Sequence, residues 1–294
     1  MAVEDYVKAA QIGASVRSVA EDAVKPGAKL LDVAMEVENE IKSNGGEFAF
    51  PVNISINEIA AHYTPKEGEE TAFTENDVVK LDFGVHVNGF IIDQAFTVDL
   101  TGENGKLVEA SKQALDDALS VMKAGANIRS VGAAIQKAIE ARGFKPIENL
   151  CGHSLDEYLL HAGREIPNVA KGGYVLKEGD FFAVEPFATT GAGRVTEKSG
   201  ESEIYSIVNP KPVRLPQSRS VLEYAMENFQ TLPFCKRWLS EALPSKAGVE
   251  LALRDLYRQE IIRDYPPLVE INKGLVSQAE CTVMVEKDSV KVLG

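Results

Sequence analysis

One stretch constrains the chain more than any other: VVKLDFGVHVNGFIIDQAFTV, Val78 to Val98. Two β-rich runs flank Asn88-Gly89, a dipeptide that tolerates the left-handed backbone of a two-residue hairpin turn. With those two residues as the loop, Val87 faces Phe90, Gly84 faces Asp93 and Asp82 faces Ala95. Strand alternation then puts Asp82, Gly84, His86, Ile91, Asp93 and Ala95 on one face. Asp82 and Asp93 become diagonal neighbours, roughly 7–8 Å apart at Cα. Acids inside apolar strands are costly unless water or a cation neutralises them. The hairpin alone therefore allows two readings, an edge with solvated acids or a metal site.

The rest of the chain repeats a plan. Met1 to Val24 and Leu30 to Ile41 carry helical spacing, and Pro26-Gly27 separates them. FAFPVNISINEIAAHYTP follows with strand-like alternation broken by Pro51, then a polar loop leads into the hairpin. After Thr101-Gly102 two helices come again, Leu107 to Met122 and Ile128 to Ala141. Lys25-x-Gly27-Ala28 matches Lys123-x-Gly125-Ala126 at an offset of 98, and the same offset carries Gly45 onto Gly143. At an offset of 103, Asp77 falls on Asp180 and Asp82 on Glu185. With a residue of slippage, His62 falls on His161. A run of such matches marks an internal duplication.

The second copy departs in one place. Asp82 and Asp93 are 11 residues apart, but from Glu185 the next acid in an apolar strand is Glu280, 95 residues on. The excess of 84 reads as an insertion in the second hairpin, with helices expected at Arg219 to Phe229, Phe234 to Leu243 and Lys246 to Arg258. Prolines punctuate its entry and exit. The expectation is a single domain over 1–294, with halves of about 1–103 and 104–294 and a helical insertion of about 195–270.

The duplication supplies a constellation: Asp82, Asp93, Glu185 and Glu280 as four pseudo-symmetric acids, with His153, His161 and His62 nearby. Carboxylates with an imidazole suit divalent Mn, Fe, Co or Zn. Such a set exceeds what one zinc-like ion needs and fits two ions, which about 3.5–4 Å apart can activate a water. His86 shares the face of Asp82 but lies towards the turn, and it reads as structural. Cys151 and Cys281 read as packing residues, and Ser154 lacks the G-x-S-x-G context of a nucleophile. The glycine-rich TTGAGRV matches no phosphate-binding pattern.

A net charge of −13 without a basic run argues against nucleic acid and anionic membranes as partners. The first residues lack the apolar core of a signal peptide, and no apolar run nears the roughly 18 residues of a membrane span. Three scattered cysteines suggest reduced thiols and a cytoplasmic location. No heptad or long apolar edge stands out, so a monomer is expected.

With these residues in view, the chain resembles the type 2 methionine aminopeptidases in their short, archaeal form. The resemblance runs nearly end to end, through FPVNISINEIAAHYTP, the hairpin, GHSLDEYLLHAG, FAVEPFATTG and YPPLVEINKGLVSQAECT. It implies the pita-bread fold, an α/β (α+β) architecture of two related halves around a curved antiparallel sheet with a helical insertion. It implies removal of the initiator methionine from nascent chains when the second residue is small, using two divalent ions. Met1-Ala2 of this chain would itself qualify as a substrate. A transient ribosome contact comes with that role. Carried over by position, Asp82, Asp93, His153, Glu185 and Glu280 would bind metal. His62, His161 and Glu185 would be catalytic. Phe50, His62, Leu160, His161, Phe187, Tyr265 and Leu268 would line the substrate pocket. Two rivals share the fold. A peptidase for Xaa-Pro bonds usually carries an extra N-terminal domain. A binding protein that has lost catalysis would not need the five ligands.

Overall fold

The structure, a computed structural model, describes residues 2–198 and 202–294; Met1, and with it the start of the Met1-Ala2 substrate expectation, lies outside the described residues, as do 199–201 within the insertion. The first half comprises α1 (Ala2–Ala23), α2 (Leu30–Ser43), β1 (Glu47–Ile56), β2 (Ile59–Ala61), β3 (Val78–Val87) and β4 (Phe90–Asp99). The second opens with α3 (Gly105–Val121) and α4 (Ile128–Glu140). It continues through β5 (Lys145–Pro146), β6 (Cys151–Ser154), β7 (Glu165–Pro167), β8 (Phe181–Val184), β9 (Phe187–Thr189) and β10 (Val195–Glu197). The inserted layer holds β11 (Ile204–Ile207), α5 (Pro216–Asn228), β12 (Phe234–Cys235), α6 (Lys236–Ala242), α7 (Lys246–Arg258) and β13 (Ile262–Tyr265). The chain closes with β14 (Leu268–Glu270), β15 (Val276–Gln278), β16 (Cys281–Val285) and β17 (Val290–Val292).

The hairpin forms in the register that its turn dictates: Val87 opposite Phe90, Gly84 opposite Asp93 and Asp82 opposite Ala95. Asn88 and Gly89 take φ of 52° and 88°, the left-handed pair that a two-residue turn needs. Alternation sorts the hairpin's side chains. Val79, Leu81, Phe83 and Val85 pack under α1 and α2 against Val16, Ala20, Val33, Val37 and Ile41. Asp82 and its even-numbered neighbours are thereby turned to the opposite face. β1 pairs with β3 but slips register between Phe48 and Phe50 and again before Asn53, around Pro51, which has no amide hydrogen to give.

The duplication is written in backbone hydrogen bonds. Gly27 N donates to Phe73 O and Gly125 N to Leu176 O, both at 2.8 Å. Leu30 N donates to Thr71 O and Ile128 N to Tyr174 O, both at 3.0 Å. The donors are 98 residues apart and the acceptors 103, the two offsets of the sequence. In the second half, α3 and α4 cover Phe182, Val184, Val283 and Val285 as α1 and α2 cover the hairpin. The two halves' strands meet at one rung, Ala95 with Glu280, so that β1, β3 and β4 lie beside β16, β8, β6 and β7.

The insertion has its own core, including Val221, Leu222, Trp238, Leu253 and Leu256. Its first helix starts at Pro216, ahead of the expected Arg219, since proline is pre-set for the first helical position. Its second starts at Lys236, because Phe234-Cys235 is drawn into pairing with β11. The layer docks on the first half through Trp238 stacked on Phe48 at 4.8 Å and through Arg237, which grips both Glu38 oxygens at 2.9 and 2.7 Å. Arg237 and Glu38 are both buried. Arg237→Ala is therefore expected to cost about 3–5 kcal/mol by stranding a buried carboxylate. Paired replacement of Arg237 by Met and Glu38 by Leu is expected to cost much less. Urea denaturation of the two variants checks this.

Among the described residues, no helix is long and apolar enough to cross a membrane.

Candidate metal centre

Five side chains on or beside five strands converge where the two halves meet. Asp82 lies on β3, Asp93 on β4 and His153 on β6; Glu185 follows β8 and Glu280 precedes β16. His153 Nε2 is 3.5 Å from Asp93 Oδ2 and 3.8 Å from Glu185 Oε1. Asp93, His153 and Glu280 each offer one ligand atom within 4.8 Å of the others. All five residues line one cleft.

Burial and mutual repulsion keep the four carboxyls from ionising together. Burial lifts Asp82 to about 7, although a hydrogen bond from Gln278 opposes the rise. Asp93 is raised well above the ordinary range by burial, then by Asp82 and Glu185. Glu185 is raised by burial and by Asp82, and Glu280 by burial and then by Asp93, Glu185 and Asp82. Burial lowers His153 to about 4, which leaves the imidazole neutral and able to ligate. Asp82 Oδ1, Asp93 Oδ1 and His153 Nδ1 are buried with no hydrogen-bond partner. Buried polar atoms are rarely left so. Oxygen donors, a neutral imidazole and orphaned carboxylate oxygens together fit a divalent first-row cation.

The two outer histidines flank this cluster. The His161 ring is 4.5 Å from that of His153 and 6.1 Å from Tyr265, while His62 meets Tyr265 edge-on at 5.6 Å. His62 is held at φ 65°, a strained setting for a side chain of its size. Burial lowers its pKa to about 4, against a hydrogen bond to the Pro266 carbonyl that raises it. His161 opens to the cleft mouth, and enclosure by the walls, then His153, His62 and Arg263, push its pKa down.

Phe50, Leu160 and Tyr265 line the same cleft, together with Asn53, Ile204 and Pro233, which sequence reasoning did not pick out. Ile204 and Pro233 belong to the insertion, whose pairing carries no sequence signal. Phe187 and Leu268 are not brought to the cleft. Phe187 is buried among Ala60, Ile147, Val195 and Val276, with Leu268 packed on that cluster. Phe187 pairs with Gln278 and Leu268 with Ala61, but the apolar cluster around Ala60 and Ile147 takes up both side chains.

The other candidates have structural work. His86 Nδ1 accepts the Gly89 amide at 3.2 Å and so braces the hairpin turn. Cys281 sits in the second-half core, and burial pushes both its thiol and that of Cys151 up to about 12. The glycine-rich loop wraps an internal anion. Glu270 accepts amides from Ala192, Gly193, Asn272 and Gly274, and a Cβ at Gly191 would fall 2.2 Å from its Oε2.

Strand pairing also revises the symmetry of the acids. The register that opposes Val184 to Cys281 and Phe187 to Gln278 opposes Glu185 to Glu280, as Asp82 opposes Ala95. Asp82 therefore corresponds to Glu185, but Glu280 corresponds to Ala95, and the partner of Asp93 is Gln278. The acids are pseudo-symmetric only in part, because the insertion hid the register between Glu185 and Glu280.

The sequence profile of metallopeptidase family M24 matches residues 4–214. The chain belongs to metallopeptidase family M24. An M24 chain with this acid and histidine cluster is a metal-dependent hydrolase. Over 294 residues it is 46% identical to a methionine aminopeptidase of Pyrococcus horikoshii, covering 99% of each chain. Two solved structures share the M24 fold. A thermophilic Arx1 superposes with a TM-score of 0.87 at 18% identity, over 100% of this chain and 90% of its own. A methionine aminopeptidase from Thermotoga maritima superposes with a TM-score of 0.70 at 23% identity, over 99% and 95%. The fold is the pita-bread arrangement of helices and antiparallel strands.

Proposed function

We propose that the chain is a type 2 methionine aminopeptidase, which removes the first methionine from nascent polypeptides whose second residue is small. The observation that carries this is the convergence of Asp93, His153 and Glu280, with Asp82 and Glu185 beside them, under an apolar wall of Phe50, Leu160 and Ile204. The full-length likeness to a methionine aminopeptidase supports the substrate, and the layer inserted between Glu185 and Glu280 supports type 2.

On this reading Asp82, Asp93, His153, Glu185 and Glu280 hold two divalent ions, drawn from Co, Mn, Fe and Zn. When bound, the ions supply Lewis acidity at the scissile carbonyl and an activated water. Glu185 accepts a proton from the attacking water and passes it to the departing amine. Neutral His62 and His161 donate hydrogen bonds to the charge that develops on the carbonyl oxygen. Phe50, Leu160 and Tyr265 enclose the methionine side chain. The chain acts as one catalytic domain, with halves of about 1–103 and 104–294 and an insertion of about 195–270. It works as a cytoplasmic monomer that meets its substrates in a transient ribosome contact.

Hydrolysis of Met-Ala-Ser and of Ala-Pro peptides, with and without added divalent metal, tests the assignment. Metal-dependent release of methionine alone is expected; preference for Ala-Pro would replace it with an Xaa-Pro peptidase. Glu185→Gln is expected to fold and keep much of its metal, yet lose turnover by about 10²–10⁴-fold, the usual worth of a proton carrier. Circular dichroism, metal analysis and kcat on the same preparation check all three.

A further inference from the structure

The rung between Ala95 and Glu280 is flanked on both sides by threonines that complete the ladder with side chains. Thr282 Oγ1 accepts the Asp93 amide at 2.7 Å and donates to the Asp93 carbonyl at 2.9 Å. Thr97 Oγ1 accepts the Gln278 amide at 2.8 Å and donates to the Gln278 carbonyl at 2.7 Å. The two clasps are mates across the local twofold axis, each two residues beyond the rung on its own strand. β-Branched side chains are stiff at χ1, so each clasp fixes the backbone it holds. One holds a proposed ligand, Asp93. The other holds Gln278, which occupies the position equivalent to Asp93.

Gln278 is fully buried, and its amide points at the acids. Nε2 donates to Glu185 Oε2 at 3.3 Å and to Glu280 Oε2 at 3.2 Å. Apart from Gln278, no side chain among the described residues donates a hydrogen bond within 3.5 Å to either carboxylate. We propose that Gln278, clasped by Thr97, is the positioning residue that sets the rotamers of Glu185 and Glu280 for metal binding. An amide suits the place for a second reason. Four carboxylates balance two divalent ions, and an acid at 278, as the twofold would repeat from Asp93, leaves a fifth charge uncompensated. The inference rests on the five-ligand reading of the site.

The test is calorimetric titration of metal-stripped protein with Mn²⁺ or Co²⁺, together with kcat, KM and the visible spectrum of the Co²⁺ form. Gln278→Met keeps the length and removes the donor. It is expected to weaken metal binding and to lower kcat by about 10–100-fold each, the usual effect of losing a partner that orients ligands. KM and the melting temperature of the metal-free protein are expected to stay near wild type, and the Co²⁺ bands to shift. Gln278→Glu is expected to bind metal less tightly than Gln278→Met. Thr97→Val is expected to act in the same direction, with Thr97→Ser restoring wild-type binding by returning the hydroxyl. Wild-type isotherms, kcat and Co²⁺ bands in Gln278→Met overturn the proposal while leaving the ligand reading intact. Failure of the wild-type protein to bind divalent metal overturns both.

Discussion

Asp93→Ala is expected to lose stoichiometric metal and, with it, all measurable peptidase activity. The residue is central among the ligands: it faces His153, and its charge raises Glu280. No other carboxylate on β4 faces the cleft to replace it. Retention of two equivalents of metal by this variant, measured on protein purified without added metal, would remove Asp93 from the site. The isosteric Asp93→Asn carries a second expectation, for the metal-free protein. The folded-state pKa values of these carboxyls are raised, so the fold binds more protons there than the unfolded chain does. The stability they contribute is full below about pH 4 and is lost as pH rises; for Asp82 the window closes near 7. Removing one of the four acids relieves that repulsion. Metal-free Asp93→Asn is thus expected to melt a few degrees above metal-free wild type at neutral pH, where about 1 kcal/mol is worth roughly 2–4 °C in a chain of this order of size.

Glu270→Ala is expected to be strongly damaging although it lies outside the cleft. Glu270 is 1% exposed and its two oxygens take four backbone amides from two loops. Burial alone would raise its pKa, but the amides of Gly274, Ala192, Asn272 and Gly193 outweigh burial and hold it below the ordinary value. Its contribution is therefore present above the unfolded-state value of about 4.3 and fades as pH falls through the folded one. Truncation leaves buried donors without an acceptor, at about 1–3 kcal/mol each where water does not replace it, so a loss of at least about 3 kcal/mol is expected at neutral pH. β14 also pairs with β2, which leads directly into His62, so the cleft wall loosens with it. Urea denaturation at pH 7 and again near pH 3 checks the claim: the gap between variant and wild type shrinks in acid. An equal gap at both values would assign Glu270 a packing role only.

How much of this was legible depended on how local the determinant was. Asn88-Gly89 fixes its own turn, and the turn fixes the register, so the relation of Asp82 to Asp93 was readable from 21 residues. The offsets of 98 and 103 were readable because each holds over its own uninterrupted stretch, the helices for the first and the entry to the acid-bearing strand for the second. The equivalence of Glu280 to Asp93 was misread because strand pairing across the insertion leaves no trace in spacing. The same break hid Gln278, although its position two residues before Glu280 puts both on one strand face. Phe187 and Leu268 look like lining residues from their nearness to Glu185 and Tyr265; an apolar cluster with Ala60, Ile147 and Val276, distant in sequence, takes up both instead. Glu270 had no signal at all, since its partners are main-chain amides.

The unequal lengths of the two hairpins give the halves unequal routes to the native state. Pairing Asp82 with Ala95 gathers 12 intervening residues around a two-residue turn, a local event on the microsecond scale. Pairing Glu185 with Glu280 must first gather 94 intervening residues, at an extra chain-entropy cost of roughly 2 kcal/mol. The insertion therefore folds and docks, or at least collapses, before its ends can rejoin the sheet. The ligands of the first half stand ready early, and those of the second arrive last. Divalent ions present during refolding can then act as a clamp on that final closure, coupling the rate at which the second hairpin seals to the metal that the finished site requires.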